Sequence, residues 1–175
     1  MPEFDVVDLG PADHPASGDE APDFVRPLVT ADDWTDRSLS SLLEEGATVL
    51  VFTPMIGSFV AQYVWDELRE RGWGVAGDAG ESGVSVAGVT ASTPYSISHF
   101  LDEREYPFSI FADPANEVAA AYGIAHDLDG MAGVSEPRLA FVAVGGEGAV
   151  EAAWVAREWP EFPDYDDLEA RLGLA

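Results

Sequence analysis

Side chains that commonly carry out chemistry are scarce in this sequence, and cysteine is absent altogether. None of the 175 residues is a cysteine. This excludes a disulfide framework, a thiolate nucleophile, an iron–sulfur cluster and a cysteine-ligated zinc site. Whatever the protein does, it does without a thiol of its own.

Histidine and serine offer little more. His14, His99 and His126 are far apart and form no HxxxH or HExxH spacing, so we expect no metal site and no cofactor. His126 lies in a predicted loop, AHDLDG, where an exposed or singly hydrogen-bonded histidine is the simplest interpretation. A nucleophilic serine such as Ser58 would need an adjacent base, and the sequence shows no Ser-His-Asp arrangement.

Negative charge dominates the composition. Asp and Glu number 33, Arg accounts for all 8 basic residues, and the net charge is −25. Self-repulsion on this scale destabilises a compact state in dilute buffer, whereas about 1 M salt shortens the Debye length to roughly 3 Å and screens most of it. Because the acids are spread along the chain, we favour adaptation to an extremely halophilic cell over the alternative, a specific acidic interaction surface. Nucleic-acid binding is disfavoured under both interpretations.

The remaining composition is that of a folded globular protein. Apolar residues make up 47% and aromatic residues 11%, and no apolar run approaches the roughly 20 residues that span a bilayer. The acidic N-terminus lacks the features of a signal peptide, so we expect a cytoplasmic protein in a high-salt environment, with no membrane partner. We predict an acidic, mobile tail over residues 1–19 and one domain over residues 20–175.

Strand-like and helix-like segments alternate along that domain. The predicted strands cover residues 47–53, 83–90, 108–113, 138–144 and 149–156. The predicted helices cover residues 58–72, 93–104, 113–123 and 164–173. The last two strands flank GGEG and are expected to form a hairpin. This order predicts an α/β fold, a central mixed sheet with helices on both faces.

Five segments in order along the chain resemble the peroxiredoxin family of the alkyl hydroperoxide reductase/thiol-specific antioxidant type. They are APDF (21–24), VLVFTP (49–54), DPANEVAAAYGI (113–124), RLAFV (138–142) and WPEFPDYDDL (159–168). The resemblance implies a thioredoxin-like sandwich. Thioredoxin-like folds often place a cis-proline near the position of Pro137, so the Glu136–Pro137 bond is a candidate for that geometry.

The resemblance also implies an active-site frame. The family's run is Pro-x-x-x-Thr/Ser-x-x-Cys with a distant Arg, and here Pro54, Ser58 and Arg138 match it while Ala61 stands in place of the peroxidatic cysteine. In the family the helix N-terminus and the Arg stabilise the thiolate. A methyl group cannot be oxidised to a sulfenic acid. Each matching residue also has a simpler explanation: Ser58 as a helix N-cap, Pro54 as a strand–helix breaker, Arg138 as an ion-pair partner of one of the carboxylates.

Two functions follow from this frame. The first is a peroxiredoxin-family protein that is inactive as a thiol peroxidase by itself and keeps a Pro/Ser/Arg pocket for a small molecule or a redox-protein partner. The alternative is an antioxidant oxidoreductase that acts on peroxides with a thiol supplied by a partner or a small cellular thiol. Peroxiredoxins commonly dimerise, so the resemblance makes a homodimer one candidate assembly.

Overall fold

The computed structural model describes residues 6–127 and 132–173. Its strands are β1 (Val7–Asp8), β2 (Val25–Val29), β3 (Trp34–Ser38), β4 (Thr48–Thr53), β5 (Trp73–Val75), β6 (Asp78–Gly80), β7 (Ser85–Thr90), β8 (Ile110–Ala112), β9 (Ala125–His126), β10 (Glu136–Pro137), β11 (Ala140–Val144), β12 (Val150–Val155) and β13 (Glu158–Trp159). Its helices are α1 (Leu39–Leu43), α2 (Phe59–Glu70), α3 (Pro94–Glu103), α4 (Glu117–Ala121) and α5 (Tyr165–Leu172).

The central sheet is built around β4. All six residues of this strand are buried, as expected for an apolar run covered on both faces. β4 pairs in parallel with β7 and antiparallel with β11. The main path through the sheet runs β12-β11-β4-β7-β8-β2-β3, and β5 pairs with both β6 and β7 at its side. The sheet is therefore mixed, as predicted.

Helices cover both faces of this sheet. Along β4, Val49 and Val51 belong to one apolar cluster and Leu50 and Phe52 to the other, because successive side chains alternate across a strand. The first cluster receives apolar side chains from α2, α3 and α5, and the second receives them from α1 and α4. The predicted α/β sandwich is confirmed. None of the helices among the described residues is long and apolar enough to cross a membrane.

Most predicted helix boundaries are confirmed, and each has a capping side chain. Ser58, Thr93 and Asp164 are the N-caps of α2, α3 and α5, and each accepts a hydrogen bond from a backbone N–H in the first turn. The helix predicted over residues 113–123 is shorter. It begins at Glu117 with Asn116 as N-cap.

Asp113 and Pro114, at the start of the predicted helix, therefore lie outside α4, and Asp113 forms an ion pair with Arg26. The Asp113 carboxylate is buried, with Oδ1 accepting from Arg26 Nε at 3.0 Å and Oδ2 accepting from the Val118 N–H at 2.8 Å. The Pro114–Ala115 segment forms a turn before the helix starts. The Asp113 carboxylate thus accepts from a backbone N–H in the first turn of α4 and pairs with Arg26 of β2, although it lies four residues before the helix.

Strands β2, β3, β5 and β6 were not predicted. β3 lies at an edge of the sheet and its residues Trp34, Thr35 and Asp36 are exposed. Pro27 and Arg26 interrupt the apolar pattern of β2. These strands are formed by pairing with neighbours, and their own sequences carry no buried-strand signal. The Glu136–Pro137 bond is not cis either; among the described residues the cis X-Pro bond is Trp159–Pro160.

The segment that precedes the domain lies along its surface. β1 pairs antiparallel with β13, and the Gly18 N–H donates to the Val150 carbonyl at 2.8 Å. Between these points the Asp13 carbonyl lies so close to Gly123 that a Cβ there would come within 2.0 Å of it. The mobility of residues 1–19, and the domain boundary after them, stay predictions.

Gly88 of β7 allows α2 to approach the sheet closely. A Cβ at this position would lie 2.6 Å from Trp65 Cζ2 and 2.9 Å from Ile110 Cγ1, both in fully buried side chains. We expect Gly88→Ala to lower the free energy of unfolding by about 1–3 kcal/mol through overpacking, measured by denaturant unfolding. Gly146→Ala is the control, since its Cβ would meet only the Leu43 carbonyl at 3.7 Å. Equal stability of the two variants would contradict this packing.

Candidate functional site

The loop that follows β4 is held by buried polar side chains. The Pro54 carbonyl accepts hydrogen bonds from the hydroxyls of Thr53 and Thr90, both at 3.0 Å. The Ile56 N–H donates to Ser92 Oγ at 3.0 Å. Because Thr53, Thr90 and Ser92 are buried, these bonds fix the path of the backbone from the strand into α2.

Ser58 begins α2 as predicted. Its φ and ψ of −67° and 140° are extended, and its hydroxyl accepts from the Val60 N–H at 3.3 Å. The preceding Gly57 has a φ of +101°, a conformation that side chains rarely adopt. Ser58 is half-buried, so capping and lining a site are compatible roles for its hydroxyl.

Ala61 is the third residue of α2, in the first turn of the helix. Its side chain is 0% exposed. The positive end of the helix macrodipole lies at this turn and would stabilise a negative charge there. The position expected to hold a sulfur atom holds a buried methyl group instead.

Arg138 is half-buried, and its side chain donates hydrogen bonds to backbone carbonyls. Its Nη2 donates to the Leu9 carbonyl at 2.9 Å, and its Nη1 donates to the Gly10 carbonyl at 2.7 Å and to the Ala156 carbonyl at 3.3 Å. Its Nε is buried and has no hydrogen-bond partner within residues 6–127 and 132–173. Burial lowers the pKa of Arg138, while the charge of Asp8 raises it.

No carboxylate of the described residues forms a salt bridge with Arg138. The described residues therefore do not support the simpler explanation of Arg138 as an ion-pair partner, although the charge of Asp8 acts on it from beyond salt-bridge distance. Arg26 and Arg71, which are also half-buried, each contact at least two carboxylates. Arg138 is held differently from both.

The structure brings the two parts of the predicted frame to the same end of the sheet. β11 and β4 pair antiparallel with Ala140 opposite Phe52, and Arg138 and Pro54 lie just beyond the two strands at this end. A direct bond joins the two chain segments, since the Met55 N–H donates to Glu136 Oε2 at 3.1 Å. The two chain segments are therefore neighbours in the fold, although the hydrogen bonds of the Arg138 side chain go to Leu9, Gly10 and Ala156 and not to Ser58.

Glu136 and His126 were missed as residues of this region. Glu136 is 2% exposed, and its Oε1 lies 4.0 Å from His126 Nε2. The His126 side chain is 5% exposed and lies on β9, paired with β10, so the interpretation of His126 as a loop residue is wrong. An acid beside a proline ahead of a buried strand was visible in the sequence, but its contact with Met55 was not.

An open groove lies beside Ser58, between the start of α2 and α3. Its volume is about 270 Å³. Its walls combine polar and charged side chains with Phe100, and its residues are Ile56, Gly57, Ser58, Gln62, Ser96, His99, Phe100, Glu103 and Arg104. Ser58 lines it, whereas Pro54, Ala61 and Arg138 do not. Within residues 6–127 and 132–173, no three His, Asp or Glu side chains lie close enough together to hold a metal ion.

Solved structures of peroxiredoxins share this fold. Peroxidoxin BcpB of Mycobacterium tuberculosis has a TM-score of 0.67 and 23% identity over 91% of this chain and 97% of that one. A reduced 2-Cys peroxiredoxin of Plasmodium vivax has a TM-score of 0.67 and 18% identity, over 89% and 79% of the two chains. AhpC of Enterococcus faecalis has a TM-score of 0.67 and 17% identity, over 90% of each chain. These likenesses confirm the thioredoxin-like architecture.

Comparison of sequences assigns the family as well as the fold. No curated protein matches the chain, but the AhpC/TSA family model matches residues 17–152. This segment spans β4, α2, the loop between them and Arg138, and it is well over half of the chain. The protein therefore belongs to the AhpC/TSA family, and it does so without a cysteine.

Proposed function

We propose that this protein is a binding member of the AhpC/TSA family that does not reduce peroxides by itself. The observation that carries the proposal is Ala61, a buried methyl group in the first turn of α2. In a thiol peroxidase, sulfur attacks one peroxide oxygen, the O–O bond breaks, and a sulfenic acid and an alcohol or water are formed. A methyl group has no lone pair with which to start that sequence.

The surroundings of Ala61 support retention of a binding site. The N-cap at Ser58, the fixed loop after Pro54 and the guanidinium of Arg138 are all present. The groove beside Ser58 offers hydroxyl, amide, imidazole and carboxylate groups to a small polar molecule or to the surface of a partner protein. Loss of the nucleophile leaves these recognition groups in place.

The alternative, a peroxidase that borrows a thiol, receives less support. A borrowed sulfur would have to reach the position of the missing one, and the Ala61 side chain is 0% exposed. The donors of Arg138 that would stabilise an incoming thiolate already hold backbone carbonyls. Chemistry with a borrowed thiol would require the Ala61 position to become accessible and the Arg138 hydrogen bonds to the backbone carbonyls to break.

Restoring the sulfur tests the proposal. We expect Ala61→Cys to consume hydrogen peroxide in the presence of dithiothreitol at about ten times the rate of Ala119→Cys. The first turn of α2 carries no acidic residue and favours a thiolate, whereas the first turn of α4 carries Glu117 and is capped by the Asp113 carboxylate, which disfavour one. Ala119→Cys is the matched control, since Ala119 is also the third residue of a helix and 0% exposed. The native chain should show no dithiothreitol-dependent consumption.

Two outcomes would contradict this account. Consumption by the native chain at the rate of Ala61→Cys would overturn the claim that it is not a peroxidase. Equal rates for Ala61→Cys and Ala119→Cys, with both variants folded by circular dichroism, would show that the surroundings of Ala61 no longer favour a thiolate.

We further propose that the protein works in a salt-accumulating cytoplasm. The net charge of −25 supports this, and so does the distribution of the acids. Exposed carboxylates occur before β3, on β6, in α3, in the β11–β12 turn and in α5, among them Asp32, Asp78, Asp102, Glu147 and Asp167. An interaction surface would gather them on one side. A homodimer stays a prediction of the family resemblance.

Thermal unfolding in KCl tests this second proposal. We expect the midpoint temperature to rise steeply between about 0.1 M and 1 M KCl and to level off beyond, because the Debye length falls from about 10 Å to about 3 Å over that range. A midpoint that is independent of KCl would contradict the proposal. A strictly linear rise to the highest concentrations would assign the effect to exclusion of salt from the surface instead of screening.

A further inference from the structure

We propose that residues 7–10, here called the strap, close an anion-binding position at Arg138, and that a ligand carrying a carboxylate competes with the strap for that position. The inference rests on the proposed binding function and names the ligand class of the same site. It starts from the backbone of the strap, which contacts the guanidinium directly.

The strap occupies the guanidinium as a carboxylate would. Nη1 and Nη2 of Arg138 donate to two consecutive carbonyl oxygens, Gly10 at 2.7 Å and Leu9 at 2.9 Å. A guanidinium presents parallel N–H groups in a rigid fork that fits the two oxygens of one carboxylate. The two carbonyls of the strap stand in for those two oxygens, but they bring no full negative charge.

The strap supplies no negative charge in direct contact with the guanidinium. The charge of Asp8, which lies within the strap, raises the pKa of Arg138, but it acts from beyond salt-bridge distance. Asp113 is within 3.0 Å of Arg26, whereas no described carboxylate is within salt-bridge distance of Arg138. A half-buried cation without a contacting anion is costly, and its buried Nε–H has no hydrogen-bond acceptor among the described residues. An incoming carboxylate would provide the missing charge and keep both hydrogen bonds.

The strap is held by few contacts of its own. β1 and β13 pair over two residues on each strand, the Leu9 N–H donates to the Arg157 carbonyl at 2.7 Å, and Val6 before the strap is 60% exposed. Segments with so few buried contacts open more readily than the core of a domain. The strap can therefore exchange with a ligand while the sheet stays intact.

The position that the strap closes adjoins the start of α2. Trp159, which pairs with Val7 of the strap, lies with its ring centroid 6.1 Å from that of Phe59. Phe59 is the first residue of α2, next to Ser58 and two residues before Ala61. A carboxylate that displaced the strap would thus bind beside the part of the frame that has lost its nucleophile.

A substitution at Gly10 can weaken the strap while Arg138 itself is left unsubstituted. Its φ is +70°, and a Cβ there would meet no atom within 4 Å. Gly10→Val therefore strains the strap conformation and creates no clash. Gly148→Val is the matched control, because Gly148 has a φ of +91°, equally open space, and a position in the turn between β11 and β12.

The test follows the Nε–Hε resonance of Arg138 by ¹⁵N NMR during titration with potassium acetate. Total ionic strength is held constant with KCl, and acetamide is the neutral probe. If the strap covers Arg138 in about nine molecules of ten, freeing the guanidinium tightens the apparent acetate Kd about tenfold. We expect that change in Gly10→Val, no change in Gly148→Val, and no response to acetamide.

Two further measurements keep the result decisive. Arg138→Lys in the Gly10→Val background should lose the tight acetate binding, followed there by backbone amide shifts, because an ammonium lacks the bidentate fork. Hydrogen exchange at the Leu9 N–H should accelerate on addition of acetate to the native chain. Acetate affinity in Gly10→Val equal to that of Gly148→Val, or unaffected by Arg138→Lys, would overturn the inference. Peroxide consumption by the native chain would overturn the proposed function instead, so the two failures are distinguishable.

Discussion

The hydrogen bonds that hold the backbone where β4 ends are the interaction on which the site depends. Buried hydroxyls of Thr53 and Thr90 fix the Pro54 carbonyl, and the Glu136 carboxylate fixes the Met55 N–H. These bonds draw on three separate parts of the chain, so they exist only after β4, β7 and the β10 segment have assembled. Once they form, Ser58 can cap α2, and Val60 and Ala61 of its first turn are buried. The surroundings of Ala61 therefore depend on the whole sheet.

Charge gives this site its unusual character. The chain carries 33 acidic residues and 8 arginines, and half-buried arginines elsewhere are used to tie elements together. Arg71 of α2 contacts Glu67 and reaches Asp166 and Glu169 of α5. Arg138 instead donates to neutral carbonyls, and the charge of Asp8 acts on it from beyond salt-bridge distance. The proposed carboxylate ligand would supply the contacting anion that this arginine lacks among the described residues.

The sequence predicted secondary structure correctly where local signals, such as an apolar run or a capping residue, agree with the fold. The apolar run of β4, the serine before α2 and the Asp164 cap of α5 each predict their structure, because burial and capping are written in the residues themselves. β2 and β3 lacked such a signal, since an edge strand gains its structure from pairing. At the site, Pro54, Ser58 and Arg138 were predicted through the family pattern, and their role in a site stays a prediction. The carbonyls of Leu9 and Gly10 could not be found in this way, because any residue supplies a carbonyl and only the fold decides where it points.

The central claim is that the native chain does not reduce peroxides by itself. A single-turnover measurement tests this claim most directly. The native protein is mixed in high salt with less than one equivalent of hydrogen peroxide, in the absence of any thiol, and peroxide is followed by stopped flow. The account predicts no rapid loss of peroxide, because the chain has no thiol that could accept the oxygen rapidly. Rapid loss of peroxide in proportion to protein, with one oxygen atom gained per peroxide consumed in the intact mass, would contradict it.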